Sequence, residues 1–202
     1  MNKLAQIISY IFHPLLMPLY GLLIIFQTDF MMILFPLAAK KVLIYIVCLG
    51  MIVLPIAFIS LFYYNKMVGS LLLKERRERV VPLAITALVY FATYYIMHRL
   101  PISPVLIGFF LGSAIAVLLN FIIVTRWKIS SHTIGVGGLL ALCIIIAIFN
   151  PGTSLIWLMS VALVCGLVGT SRLQLEAHSP AEVYSGYLLG FISISGSIIL
   201  YF

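Results

Sequence analysis

From Val42 to Tyr64 the chain carries no charged side chain, and neither does the stretch from Pro104 to Thr125. At a rise of about 1.5 Å per helical residue, runs of this length reach about 30 Å, the thickness of a bilayer's hydrocarbon core. Lipid offers no hydrogen bonds, so a segment that crosses it must satisfy its own backbone, as a helix or as a strand of a closed barrel. A barrel strand alternates apolar and polar residues, whereas these runs are apolar throughout. With 64% hydrophobic residues among 202, no soluble interior of this size would hold the apolar side chains. The expected fold is all-α: a polytopic transmembrane helix bundle forming one membrane domain over residues 1–202.

The remaining runs are shorter or interrupted. Residues 4–27 contain His13-Pro14 and Pro18, so a kink or a partial re-entry is expected there. The segment has a basic Lys3 but no small-residue cleavage site, and reads as a retained first span. Residues 30–39 are too short to cross alone and suit the interface. Residues 82–97 and 135–149 are short for spans. Pro82 and Pro104 each suit the first position of a helix, and Asn150-Pro151-Gly152 is a turn signal. Two further spans cover 154–170 and 184–202. The total is seven spans, or six if the first is re-entrant. Cys48, Cys143 and Cys165 are scattered in apolar runs with no CxxC spacing and read as small core residues.

Charged residues make up only 8% of the chain, and they gather in islands. The first is Lys74-Glu75-Arg76-Arg77-Glu78-Arg79. The second is Ser130-Ser131-His132, and the third contains Ser171-Arg172, His178 and Glu182. Two spans separate the first island from the second and two separate the second from the third. An even number of crossings returns the chain to the same face, so all three share one side of the membrane. On seven spans that face carries nine of the Lys and Arg residues and the opposite face carries Lys40, Lys41 and Arg99. The positive-inside rule then makes the island face cytoplasmic, and a bacterial inner membrane is the expected location. The net charge of +7 lies in short loops beside spans without a nucleic-acid-binding fold, so the expected partners are the bilayer and a phosphorylated membrane lipid, not nucleic acid.

Each island has a chemical and a structural reading. Arg172 presents a planar fork of donors that can hold two oxygens of one phosphate. His178 and Glu182 are four residues apart, so on a helix the carboxylate can hold one imidazole nitrogen and leave the other free to attack. Ser179-Pro180-Ala181-Glu182 is equally a capping box, with Ser179 as N-cap, Pro180 at N1 and Glu182 at N3. Ser130-Ser131-His132-Thr133 precedes the small-residue run Gly135-Val136-Gly137-Gly138, which suits an anion site of backbone N–H groups and hydroxyls, with His132 placed to protonate a leaving oxygen. It equally suits a plain helix cap. The run 74–79 reads alone as an orientation signal or a headgroup anchor. His13 reads as a polar partner at the kink and His98-Arg99 as a headgroup anchor on the opposite face. No His-x3-His, Cys/His cluster or carboxylate pair suggests a metal site, and no cofactor is expected.

Taken together, the islands resemble the type 2 phosphatidic acid phosphatase superfamily, the integral-membrane lipid phosphate phosphatases. Its signature runs Lys-x6-Arg-Pro, Pro-Ser-Gly-His and Ser-Arg-x5-His-x3-Asp. The third part is matched at Ser171, Arg172 and His178, with Glu182 for Asp. The second is matched at Ser130 and His132, with Ile129 for Pro and Ser131 for Gly. The first departs most: Lys74 and Pro82 align, but Val81 stands where Arg belongs and Arg79 lies two residues early. The matching order spans residues 65–190. The resemblance implies that His178 is the nucleophile forming a phosphohistidine, Glu182 its support and His132 the general acid. It also implies that Arg172, Ser130, Ser131 and basic residues of the first island hold the phosphate, with no metal. Lys74, Arg76, Arg77 and Arg79 compete for the last role, and Arg79 and Lys74 are favoured. The implied activity is hydrolysis of a phosphate monoester or diphosphate on a lipid anchor. The alternatives are phosphoryl transfer from the same histidine to a second lipid, and a lipid-phosphate binder or transporter that does not turn over.

Overall fold

The computed structural model describes residues 2–66, 76–149 and 151–201. Its helices are α1 (Asn2–Ile11), α2 (Met17–Thr28), α3 (Phe30–Ile33), α4 (Leu37–Val47), α5 (Leu54–Tyr64), α6 (Val80–His98), α7 (Pro104–Val124), α8 (Ser131–Phe149), α9 (Pro151–Gln174) and α10 (Pro180–Ile199). No strand occurs among the described residues. Seven stretches there are long and apolar enough to cross a membrane. Side chains such as Leu88, Ile156, Met159 and Leu163 stand exposed on the outside, which is stable in lipid and costly in water. The chain is an integral membrane protein built as an all-α bundle.

The first span is bent where the sequence placed a kink. A 3₁₀ turn over Pro14–Leu16 separates α1 from α2, and the His13 ring accepts at Nδ1 from the Leu15 N–H, 3.3 Å away. Pro14 has no N–H to continue α1, and the imidazole takes one of the donors that the break releases. α3 is a four-residue helix capped by Asp29, whose Oδ1 accepts from Met31 and Met32, and the second span starts at Leu37. That span contains a π-helical turn over Cys48–Val53. The wider turn leaves the Met51 carbonyl open to a partner, and the Tyr90 hydroxyl of α6 donates to it at 3.1 Å.

Two helix starts and one helix end differ from the sequence expectation. α6 begins at Val80 after a 3₁₀ turn over Arg77–Arg79, so Pro82 is its third residue, not its first. Proline is tolerated there because the N–H groups of a helix's first turn have no intrahelical acceptor. α8 begins at Ser131, not after the serine–histidine triplet, and α9 runs on to Gln174, so Ser171 and Arg172 lie in its last turn. These extra turns make full spans of both short runs. Pro104 does open α7, and the capping box at Ser179, Pro180 and Glu182 forms as read.

α8 is the central helix: 61% of its span is buried, against 28% for that of α9. α10 packs against α8 and α7, α9 against α8, α6 against α7, and α1 against α9. The glycines at 137 and 138, which the sequence suggested as part of an anion site, serve this packing. A Cβ on Gly137 would meet the backbone of Tyr187 at 2.5 Å, and one on Gly138 the side chain of Ile194 at 2.9 Å. Small residues let helix backbones approach closely in lipid.

Candidate functional site at the island face

The three islands meet. Ser130 N–H donates to the Glu182 carbonyl at 3.3 Å, which ties the loop before α8 to the first turn of α10. Arg76 donates to the carbonyls of Val124 (3.2 Å) and Thr125 at the C-terminal end of α7. That is a helix-capping role, and the helix dipole favours a cation there. Arg77 is exposed. Arg79 instead lines a cavity of about 730 Å³ together with Lys128, Ser131, His132 and Arg172. Of the described residues competing for the phosphate, Arg79 is therefore the one the fold turns inward. Lys74 lies outside the described residues.

His178 has a defined tautomer. Its Nδ1 lies 3.1 Å from the Lys128 carbonyl and 3.1 Å from Glu182 Oε2. Both partners only accept, so Nδ1 carries the hydrogen and the lone pair is on Nε2. Glu182 Oε2 also accepts from the Ser179 N–H at 3.1 Å. The cap and the support of His178 are thus one carboxylate, and the two readings of Ser179–Glu182 are both realised. Burial, then the Arg79 and Arg172 guanidiniums, lower the His178 pKa from 6.5 to about 4 against the opposing pull of Glu182. The imidazole is neutral at pH 7. Lys128 is also pulled below its ordinary value, first by burial and then by Arg79.

His132 approaches the Ser9 carbonyl through Nε2 at 3.2 Å. A carbonyl accepts, so Nε2 donates and Nδ1 is the nitrogen available for chemistry. Arg172 donates from Nη1 to the Ser9 hydroxyl at 3.1 Å. Ser9 of α1 therefore holds both residues. His13 packs edge-to-face on His132, with ring centroids 5.6 Å apart, so the kink residue also borders the site.

Some expected residues stand behind the cavity wall. His178, Glu182 and Ser130 do not line it, although Ala177 and Lys128 do. The His178 side chain is 1% exposed. Ser171 spends its hydroxyl on the Leu167 carbonyl of its own helix, 2.7 Å away. Ser130 Oγ and Arg172 Nε are buried without a hydrogen-bond partner. Orphaned buried donors are rare in folded proteins and call for a ligand or water, and both of these suit an anion.

Ser9, His13, Asn120 and Lys128 were not assigned to the site from sequence. Asn120 had a legible signal, as the only amide in the run 104–125, because polar groups inside a span are costly and usually functional. Ser9 and the Lys128 carbonyl had none, since they act through backbone atoms or through a helix distant in sequence.

The cavity is amphipathic. Its polar end carries Arg79, Lys128, His132 and Arg172, and it extends past Leu83, Ile59, Phe109 and Ile194. Along α6 its lining runs from Arg79 to Tyr90, about 16 Å of helical rise. Among the described residues no group of three or more His, Cys, Asp or Glu is placed to hold a metal. Compared with family models, curated proteins and solved structures, the chain matches none.

Proposed function

We propose that the protein is a membrane lipid phosphate phosphatase, similar to the type 2 phosphatidic acid phosphatases, which works through a phosphohistidine on His178. The observation that carries this reading is the amphipathic cavity. One end gathers three cations and His132 at the island face, and the other is a mostly apolar channel into the bundle. A phosphorylated lipid has the same two ends.

In this mechanism Arg172, Arg79 and Lys128 hold the phosphate oxygens, with Lys74 and the Ser130 hydroxyl as further candidates. The Nε2 lone pair of His178 forms a bond to phosphorus while the bond from phosphorus to the lipid oxygen breaks. The leaving oxygen takes its proton through Nδ1 of His132, which relays the proton that a monoanionic phosphate ester brings into the site. Water then attacks phosphorus while its proton passes through His132 to the departing phosphate, the N–P bond breaks, and inorganic phosphate leaves with His178 and His132 neutral. Glu182 holds Nδ1–H throughout and stabilises the ring as it becomes charged. His178 is almost fully covered, so attack requires substrate to displace part of the wall that Ala177 and Lys128 form.

That same coverage, with Val81 in place of the first motif's Arg, favours a second reading, a binder or carrier of lipid phosphates that does not turn over. Phosphate release in detergent from a panel of lipid phosphates separates the two. Wild type should release phosphate and be inhibited by vanadate. His178→Ala should fall to background, and His132→Ala should lose about 10²–10⁴-fold. Activity that survives His178→Ala would sink the mechanism, and lipid binding without release across the panel would establish the second reading.

A further inference from the structure

We propose that Asn120 and Ser131 form a subsite for a free hydroxyl on the carbon beside the lipid's phosphate ester. This rests on the reading above and narrows its substrate class.

The polar side chains of the cavity's inner wall are nearly all spent on the protein. Thr86 donates to the Pro82 carbonyl at 2.7 Å, Tyr90 to the Met51 carbonyl at 3.1 Å, and Ser113 to the Phe109 carbonyl at 2.8 Å. Asn120 differs. It lines the cavity and is 3% exposed. Its Nδ2 donates to Ser131 Oγ at 2.9 Å, and its Oδ1 has no partner. Leaving an amide oxygen buried and unsatisfied inside a span is unfavourable, so a bound group is expected to complete it.

The chemistry of that group follows from the atoms. An amide oxygen only accepts, so it repels phosphate oxygens and must read another part of the same molecule. The Ser131 hydroxyl, already accepting from Asn120, still has its own hydrogen to give. An acceptor beside a donor matches a hydroxyl, which both donates and accepts. Ser131 immediately precedes His132, the group assigned to the leaving oxygen, so the hydroxyl belongs close to the scissile ester. Glycerol phosphates with a free neighbouring hydroxyl fit. Fully acylated glycerol phosphates and prenyl phosphates offer no donor there.

The test compares monooleoyl glycerol phosphate with its propanediol analogue, which lacks only the middle hydroxyl. Turnover and the thermal stabilisation that each lipid gives are both measured. Wild type should prefer the hydroxylated lipid by about tenfold or more in kcat/KM, because a site built to bond a hydroxyl rejects the molecule without it. Asn120→Leu should bring the ratio to within about twofold, and Ser131→Ala, a milder change, should reduce it in the same direction. A wild-type ratio near one, or a preference that persists in both variants, overturns the inference. If neither lipid is turned over but the hydroxylated one stabilises wild type more, and Asn120→Leu removes that difference, the subsite stands and the phosphatase reading fails.

Discussion

At the scale of single residues, the decisive atom is Nδ1 of His178. Its hydrogen is committed to the Lys128 carbonyl and Glu182, and burial, then the Arg79 and Arg172 cations, oppose a second proton on the ring. A protonated ring has no lone pair to attack with, so activity should be lost as pH falls through about 4 and be retained between there and 6.5. Arg79→Gln removes a lowering cation and should move the acid limb of kcat/KM upward. Glu182→Gln removes the raising carboxylate and should move it downward, with a large loss of rate besides. A pH–rate series on the three proteins checks both signs, and an acid limb at 6.5 in wild type would contradict the assignment. The four-residue spacing of His178 and Glu182 made their pairing legible in the sequence. Which nitrogen is held was not, because the Lys128 carbonyl arrives from a different loop.

At the scale of elements, the start of α10 does two jobs with one carboxylate. Ser179 accepts from the Glu182 N–H at 3.4 Å while Glu182 accepts from the Ser179 N–H. Ser179→Ala should cost about 1 kcal/mol of stability, as N-cap losses commonly do. It should lower turnover more than that loss alone explains, since Glu182 is freed from the position that supports His178. Ser179→Asp keeps a capping oxygen and should recover most of the stability. Thermal unfolding and turnover measured on the same preparations separate the two effects. Helix starts were the least legible feature of the elements. Pro82 looked like a first position, but the 3₁₀ turn and two residues before it could continue the helix, and the carbonyls at the end of α7 gave Arg76 a place to bond.

At the scale of the molecule, the site depends on how closely α8 and α10 approach. A Cβ on Gly190 would overlap the Ile134 carbonyl, a backbone atom that cannot swing aside, whereas one on Gly166 meets nothing within 4 Å. Gly190→Ala should therefore destabilise the protein and uncouple Glu182 and His178 from the 128–130 loop. Gly166→Ala should fold at least as well as wild type. Sidedness follows from span parity. A cysteine at exposed Trp127 and one at Arg99 should react with a membrane-impermeant maleimide from opposite faces, in a background with Cys48 replaced by Ser. Labelling of both from one side would break the seven-span topology. Arg76 against the end of α7, Ser130 against Glu182, and His178 against Lys128 already place the three islands together.

The sequence by itself determined the membrane bundle, the parity that puts the islands on one face, the kink at His13-Pro14 and the capping box at Ser179. Those follow from runs of apolar residues and from local backbone chemistry, which neighbours along the chain dictate. Only the tertiary structure decided that Arg79 faces the cavity while Arg76 caps α7. It alone brought Ser9 to hold Arg172 and His132, and left Asn120, bonded to Ser131, with an unspent oxygen. Those are choices of partner between helices far apart in sequence. They are settled by which faces pack together, and a run of apolar residues looks much the same whichever side it turns inward.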